Sequence, residues 1–392
     1  MPFEVDPVVL GANITFARKK AGKTQDQLSK LIGVSRPTLI GIESGQRHAT
    51  ELEIHAIAKN VGSSVRDLLS LGVPDASATV RFRSLRGSDE SRAALEALED
   101  FGRRYLHLEK LANDRIVRRE PAMFMLERAI NVERAGEELA ATERQRLGLG
   151  DGPLPELRIV LEEDAGLRIF GLEELRRTRI SGLFAYSREY GPLVGFNAAH
   201  DPRRVRWTLC HEYAHYLFER YELEVTEESK SGRRDRREQL ADAFAANFLM
   251  PTNGISRRFS EMLSDAGGEL KVAHLLMLAE FFEVSFQAVT QRLEEIGRIT
   301  AGTYEMLRER GFKPLQAEAT LGFQRRPLDR LPFRYVFLVA TLNARGVLSE
   351  GDVAAFLHTD RLSARELLQR VPDPGADGSS EPGLDTPIGV AT

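Results

Sequence analysis

Residues 209–218 read Leu-Cys-His-Glu-Tyr-Ala-His-Tyr-Leu-Phe, an apolar stretch that contains three chemistry-bearing side chains. His211 and His215 are four positions apart, and residues with this spacing lie one above the other on the same face of an α-helix. Two imidazoles so placed can bind one metal ion, while Glu212 projects beside them as a candidate general base. The stretch therefore predicts a helix with a metal centre. The alternative is a core helix with two buried, hydrogen-bonded histidines.

The segments before this motif carry helix and strand signals. Asp201 is a candidate N-cap, and Pro202 suits the first position of the helix. Residues 167–170 predict a strand, and residues 182–186 and 191–197 predict the two strands of a hairpin. We expect the 191–197 strand to be a sheet edge to which an extended polypeptide can add. An ordinary strand within the sheet is the alternative.

A third metal ligand is expected downstream, on an amphipathic helix that begins near Glu238 and ends at Pro251. Asp242 lies one turn after Glu238, where it can hydrogen-bond the second nitrogen of a ligand histidine. Two histidines, one carboxylate and an open position form a recognised catalytic zinc set; manganese is the alternative metal. Cys210 is the only cysteine, which excludes a cysteine-rich zinc site, and we expect it to pack inside its helix.

Residues 24–45 predict two short helices joined by a tight turn. Thr24 and Gln27 form an N-terminal capping box, Gly33 suits a left-handed turn position, and Ser35 caps the second helix. This arrangement is a helix-turn-helix. The side chains expected to point inward are Leu28, Leu31, Ile32, Leu39 and Ile42.

Over residues 8–71 the chain resembles the Xre/Cro-type helix-turn-helix family, in which the second helix enters the major groove of double-stranded DNA. Residues 1–72 contain nine Lys and Arg against seven Asp and Glu, so we expect modest monomer affinity and binding as a homodimer. Arg36 is the first choice for base readout. A domain used only for protein interaction is the alternative. Carried onto this sequence, the family's DNA contacts are Gln25, Arg36, Thr38, Ser44 and Arg47.

Over about residues 155–300 the chain resembles the ImmA/IrrE family of zinc metallopeptidases. The hallmarks are the hairpin, the helix with His-Glu-x-x-His, and a following motif. The family commonly has Gly at position 214 and Asn at position 242, where this chain has Ala and Asp. The residues that match the following motif are Glu238, Ala241, Asp242, Phe244, Ala245, Leu249, Met250 and Pro251.

This second resemblance implies a ligand set and a substrate. Zinc is held by His211, His215 and Glu238, with Glu212 as the general base and Asp242 supporting a ligand. The substrate is a helix-turn-helix repressor, cut in a stress or mobile-element response. The sequence does not identify the group that stabilises the oxyanion. The candidates are Tyr186, Tyr190, His200 and Arg206.

The fold class is expected to be mainly α with a small β-sheet (α+β). The 392 residues are 42% hydrophobic and 29% charged, with a net charge of -4, which indicates a globular protein without a global basic field. No apolar run approaches the ~18 residues of a membrane span, and the N-terminus lacks a signal-peptide pattern. We expect a cytoplasmic, nucleoid-associated protein without membrane contact.

The chain is expected to contain five segments. The helix predicted over 89–113 has an apolar stripe that serves either as a dimer surface or as packing against the peptidase segment; a second helix is predicted over 127–147. The segments are a helix-turn-helix domain over 1–72, a helical connector over 73–153, a metallopeptidase domain over 154–300, a C-terminal helical domain over 301–371, and a disordered tail over 372–392.

Two further patterns leave alternatives open. The basic runs 203–206 and 233–237 either bind single-stranded DNA or an acidic peptide, or form salt bridges on a solvated surface. Residues 283–285 (Glu-Val-Ser) resemble residues 33–35 (Gly-Val-Ser) and suggest a second helix-turn-helix pattern. Because it lacks a basic surface, we expect its helices to pack on the peptidase segment or to bind a partner, and not to read DNA.

The leading functional hypothesis is a DNA-binding zinc peptidase that cleaves a regulatory protein. One alternative is a transcriptional regulator or antitoxin whose metal site is sensory or structural. Another is self-cleavage in the linker after Gly72.

Overall fold

The computed structural model is mainly α-helical with a small mixed sheet, as the sequence predicts. It separates into two compact units: one contains helices α1–α5, and the other contains every later element of the described chain. The described residues are 7–63, 65–69, 89–115, 120–125, 131–187, 189–220, 236–323, 325 and 327–369.

The N-terminal unit contains the predicted turn between two short helices. A capping box at Thr24 begins α2, Gly33 has φ of 73°, and the Ser35 hydroxyl accepts a hydrogen bond from the Thr38 amide. Leu31 was expected inside but is 52% exposed. Leu31 is three positions after Leu28 and Ile32 is four, so the two side chains flank Leu28 on different sides of the helix. Only the side of Ile32 is covered, and the buried stripe of α2 is therefore narrower than predicted. The helices are α1 (Pro7–Lys20), α2 (Gln25–Leu31), α3 (Arg36–Glu43), α4 (Glu51–Val61) and α5 (Val65–Leu69).

The sheet of the larger unit has the strand order β1-β3-β2 in the described chain. Strand β1 (Arg168–Leu172) pairs in parallel with β3 (Gly191–Asn197), and β2 (Gly182–Ser187) pairs antiparallel with β3. The hairpin is therefore present, but the expectation that 191–197 forms an edge is wrong. The non-local parallel pairing with β1 places β3 in the centre, which explains why all of its residues are buried.

Two long helices cover opposite faces of this sheet. Helix α6 (Asp89–Ala112) packs on one face, where its residue Gly102 contacts the side chain of Leu193 in β3. The neighbouring residue Val194 points to the other face, together with its cross-strand partner Phe184. The Phe184 ring packs 6.0 Å from Tyr216 of helix α9 (Pro202–Glu219). The apolar stripe of α6 therefore packs on the sheet and is not a free dimer surface.

Helix α7 (Val132–Arg146) begins later than predicted. Asn131 caps it by accepting a hydrogen bond from the Arg134 amide, and residues 127–130 of the predicted helix lie outside the described chain. Helix α10 (Arg236–Leu249) packs on both α7 and α9. A short α8 (Leu157–Ile159) precedes β1 and continues into a wider helical turn over Val160–Asp164.

The C-terminal part of the larger unit is a series of short helices. No single helix in the described part of the chain is long and apolar enough to span a membrane. The helices Val272–Phe281 and Phe286–Glu295 pass that length and composition test only together, across a bend of 102°. The expected linker after Gly72, the run 233–235 and the tail over 372–392 lie outside the described residues. The helices are α11 (Thr252–Asp265), α12 (Val272–Phe281), α13 (Phe286–Glu295), α14 (Thr303–Glu309), α15 (Pro314–Thr320), α16 (Phe333–Ala344), α17 (Glu350–Phe356) and α18 (Arg361–Gln369).

Candidate metal centre

Helix α9 brings His211 and His215 together as their spacing predicts. Asp201 caps the helix through the Arg203 amide, and the two histidine Nε2 atoms lie 3.2 Å apart on one face. Glu238, in the first turn of α10, places Oε2 3.3 Å from His211 Nε2. One ligand atom from each of the three residues lies within 4.8 Å of the others. This set of two nitrogens and one carboxylate oxygen is a donor set that zinc accepts.

Asp242 holds the ring of His211 from the second helix. Its Oδ1 lies 2.9 Å from His211 Nδ1, the nitrogen that faces away from the ligand group. A carboxylate at Nδ1 keeps the proton on that nitrogen and leaves Nε2 as the lone-pair donor. The geometry therefore matches the supporting contact expected for Asp242.

Glu219 makes the corresponding contact to His215, and the sequence prediction missed it. Its Oε2 lies 2.9 Å from His215 Nδ1, while its other oxygen lies 3.2 Å from Arg237 Nη1. Glu219 therefore connects the end of α9 to the residue directly before Glu238. The available signal was its spacing: Glu219 continues the four-residue step from His211 to His215 on the same helix face.

The electrostatics of the group suit a cation. Burial lowers the pKa of His211, but the hydrogen bonds that its ring donates to Asp242 and Glu238 and the charge of Glu212 outweigh burial, so the pKa rises to about 9. The carboxylates around the two imidazoles therefore attract positive charge at the place where the three ligand atoms converge. Both this field and the donor chemistry fit a divalent metal ion.

Glu212 is buried against the first residue of β2. A Cβ built at Gly182 would lie 2.4 Å from Thr208 Cγ2 and 3.1 Å from Glu212 Oε1. Only a residue without a side chain allows α9 to approach the sheet so closely. Cys210, on the other side of the helix, is fully buried, and burial raises the pKa of its thiol to about 12. It packs in the core, as predicted.

A cavity of about 1940 Å³ opens onto the metal group. It follows α9 from Asp201 to Glu212 and α10 from Glu238 to Asn247, and it reaches α13 and α15. Sites for small molecules commonly enclose about 300–1,000 Å³. The cavity is therefore larger than a small ligand requires and suits a polymer segment.

Comparisons with known families agree with this geometry. Residues 168–294 match the family model described as the IrrE N-terminal-like domain, a Peptidase M78 family, and residues 15–68 match the model described as helix-turn-helix. The chain joins an Xre-type helix-turn-helix domain to an IrrE-like peptidase-family domain. A search of curated proteins found no match to it. The paired domains are those of a DNA-binding regulator with a peptidase-family domain, and both resemblances drawn from the motifs are confirmed.

None of the four residues that could stabilise the oxyanion is among the described residues that line the cavity. Tyr186 donates to Glu120, and Arg206 donates to the carbonyl groups of Leu154, Pro155 and Glu283. Neither Tyr190 nor His200 is among the lining residues. The structure therefore gives no support to any of the four as the oxyanion-stabilising group, because none lines the cavity in the part of the chain that the structure describes.

The basic run at the start of α9 forms salt bridges, as one of the two interpretations expected, but Arg203 and Arg206 are buried and not on a solvated surface. Arg203 pairs with Glu280 and Glu318, and Arg206 pairs with Glu283. Arg203 and Arg204 both line the cavity, and Arg204 donates to Ser181 Oγ. In the second run, Arg237 contacts Glu219. Arg203, Arg206 and Arg237 thus connect helical elements, and binding of single-stranded DNA stays a prediction.

In the helix-turn-helix domain, Arg36 is exposed at the first residue of α3. The other expected contacts already have intramolecular partners. Gln25 donates to Glu43 (2.8 Å), Ser44 donates to the Gly41 carbonyl, and Arg47 pairs with Glu53. The Thr38 hydroxyl lies 2.8 Å from that of Ser35. Arg36 therefore stays the first choice for base readout among the predicted contacts.

Proposed function

We propose that this protein is a zinc-dependent endopeptidase that cleaves a specific regulatory protein, most simply a helix-turn-helix repressor, while its own helix-turn-helix domain binds double-stranded DNA. The observation that carries the proposal is the convergence of His211, His215 and Glu238 beside Glu212. This group opens onto a cavity large enough for a polypeptide segment. The matching family models support the same assignment of domains.

Each residue of the group has a distinct role in this proposal. His211, His215 and Glu238 would hold the metal, and Asp242 and Glu219 fix the two rings. When bound, zinc would supply Lewis-acid activation of water and of the scissile carbonyl. Glu212 would accept a proton from the attacking water and pass it to the leaving amine.

A sensory or structural metal site is the competing function. Structural zinc sites are commonly closed by four protein ligands and need no general base. Here three ligand atoms converge, and Glu212 lines the same large cavity as the ligands. These features favour turnover, and a substitution of Glu212 separates the two functions.

The test is co-expression of the full chain with helix-turn-helix regulators encoded beside it in its genome. We expect one regulator to be cut at a single bond by the wild type and to stay intact with Glu212→Gln. The Gln variant is isosteric and should bind zinc with wild-type stoichiometry, which metal analysis checks. Equal cutting by both forms, or no cutting of any regulator by the zinc-loaded wild type, would overturn the peptidase proposal.

The DNA-binding part of the proposal is tested through Arg36. Arg36→Ala should weaken binding to a selected duplex by about 1–3 kcal/mol, roughly 5- to 150-fold, if the guanidinium bonds guanine. Lys59→Ala, an exposed substitution on α4, is the control. Duplex selection from a random library at fixed salt, followed by fluorescence anisotropy, measures both variants. Equal affinities for wild type and Arg36→Ala would remove Arg36 from the interface.

A further inference from the structure

Helices α12 and α13 form a second helix-turn-helix with the same local geometry as α2 and α3. Glu283 has φ of 51° where Gly33 has 73°. Ser285 caps α13 through the Ala288 amide, as Ser35 caps α3 through Thr38. Each residue of the second turn lies 250 positions after its counterpart in the first turn, as the pairs Gly33 and Glu283, and Ser35 and Ser285, show. The similarity between residues 33–35 and 283–285 in the sequence is therefore matched by the same turn and cap in the structure.

The residue that would read DNA is replaced in the second copy. The 250-residue offset places Phe286 where α3 has the exposed Arg36. Phe286 is only 2% exposed, and its ring lies 5.1 Å from that of Phe312. Residues 271–297 contain two Lys and Arg against four Asp and Glu. A covered first turn and an acidic surface both oppose contact with DNA phosphates.

Helix α13 instead lines the cavity onto which the metal group opens. Ser285, Gln287, Ala288 and Gln291 line the same cavity as His211 and Glu238. Both glutamines are exposed, and Tyr304 Oη donates to Gln287 Oε1 at 3.2 Å, which orients that carboxamide.

Helix α15 extends this surface beyond the family-matched region. Leu315 lines the cavity and is 65% exposed. We call Gln287, Gln291, Tyr304 and Leu315 the distal wall.

The distal wall is held firmly to the metal-binding helices. Arg292 of α13 is buried and donates to Asn247 and Thr252, at the end of α10 and the start of α11. Arg203 and Arg206 of α9 pair with Glu280 and Glu283, on and just after α12. Because these hydrogen bonds and ion pairs tie α12 and α13 to α9 and α10, the distance of Gln287 and Gln291 from the ligands is set by the fold. Such a surface can recognise a substrate without reorganisation.

We infer that the distal wall binds the polypeptide substrate on one side of the bond to be cleaved, so that this second helix-turn-helix reads peptide and not DNA. A glutamine carboxamide offers one acceptor and two donors, which match the main-chain groups of an extended segment. Leu315 offers an apolar contact for one side chain. The inference rests on the proposed peptidase function, and it assigns the specificity of that site.

The test profiles cleavage of a proteome-derived peptide library by the zinc-loaded full chain, with new termini identified by mass spectrometry. Wild type should show residue preferences on both sides of the cut. Gln287→Ala/Gln291→Ala and Leu315→Glu should weaken the preferences on one side at least 5-fold, with the other side and the zinc content unchanged. The matched controls are Gln145→Ala and Leu321→Glu, exposed positions outside the described lining of the cavity.

The possible outcomes distinguish failure of the inference about the distal wall from failure of the proposed peptidase function. Wall variants with the wild-type profile would overturn the inference and leave the peptidase function standing. If wild type leaves the library untouched but cuts a regulator in the co-expression test, the wall variants are compared on that regulator, and an unchanged rate of cleavage overturns the inference. If neither the library nor any regulator is cut, both claims are rejected. A second measurement determines the affinity of the same variants for the DNA duplex selected in the Arg36 test. Loss of affinity in Gln287→Ala/Gln291→Ala comparable to that of Arg36→Ala would show that α13 contacts DNA, which also overturns the inference.

Discussion

At the scale of single residues, the two ligand histidines are supported in different ways. Asp242 reaches His211 from a different helix, whereas Glu219 reaches His215 from its own helix. Glu219 also contacts Arg237, the neighbour of Glu238. One carboxylate thus orients a histidine and helps to position the third ligand. Loss of Glu219 should therefore affect metal binding more than overall stability.

Glu219→Ala is expected to weaken zinc affinity about 10- to 100-fold, as is common when a carboxylate supporting a ligand histidine is removed. Glu219→Gln should retain part of the affinity, because it keeps an oxygen beside Nδ1 and loses only the charge. Glu261→Ala, on the exposed side of α11, is the control. Competition with a chromophoric chelator measures the affinities. Wild-type affinity in Glu219→Ala would mean that Glu219 does not support the site.

Gly182 is the second residue with a specific consequence. Gly182→Ala would drive its Cβ into Thr208 Cγ2 and towards Glu212. Overpacking of this kind costs about 1–3 kcal/mol of the free energy of unfolding, and it should also reduce cleavage by displacing Glu212. The double variant Gly182→Ala/Thr208→Ser removes the clashing methyl and should recover most of the stability. Urea unfolding followed by Trp fluorescence measures both; an unchanged midpoint for Gly182→Ala would contradict the tight contact.

At the scale of elements, α6 is attached to the sheet by a buried ion pair as well as by apolar contacts. Glu109 Oε2 lies 2.6 Å from Arg168 Nη2 at the start of β1, with both side chains almost fully buried. The Arg168 guanidinium also lies over the Tyr105 ring at 4.4 Å. Burying a charge without its partner is far more costly than burying neither.

Arg168→Met should therefore destabilise the larger unit by about 3–5 kcal/mol, because it leaves Glu109 as a lone buried charge. Glu109→Leu/Arg168→Met should recover a large part of this loss. The control is Arg134→Met, which breaks an exposed pair with Glu138 and should cost less than about 1 kcal/mol. Denaturant midpoints give the comparison. A double variant no more stable than Arg168→Met would show that packing, and not charge, dominates this contact.

The sequence predicts features of the helices and strands that depend on local spacing, but not those that depend on contacts between distant segments. Features set by local spacing were predictable: the face shared by His211 and His215, the cap at Ser35, and the left-handed turn at Gly33. Features set by distant pairing were not. The central place of β3 depends on β1, about 25 residues earlier in the chain. The burial of Arg203 depends on Glu318, 115 residues later. Glu219 was within reach of local reasoning, since it continues the spacing of the motif.

At the scale of the whole molecule, the two compact units carry the two chemistries separately. Helices α1–α5 form one unit, and the metal group lies wholly in the other. The chain has a single tryptophan, Trp207, which lines the cavity of the larger unit. Its fluorescence therefore reports on the peptidase-family unit alone, whereas far-UV circular dichroism reports on the helices of both.

Zinc should consequently stabilise one unit only. At a free zinc concentration about 1,000 times its dissociation constant, binding adds about 4 kcal/mol to the free energy of unfolding of the unit that binds it. The Trp207 transition should move to higher denaturant, and chelator should reverse the shift. Part of the dichroism change, from α1–α5, should keep its midpoint. Glu238→Gln should remove most of the shift. If fluorescence and the whole dichroism change moved together, the units would unfold as one, and the separation of the two chemistries would not extend to stability.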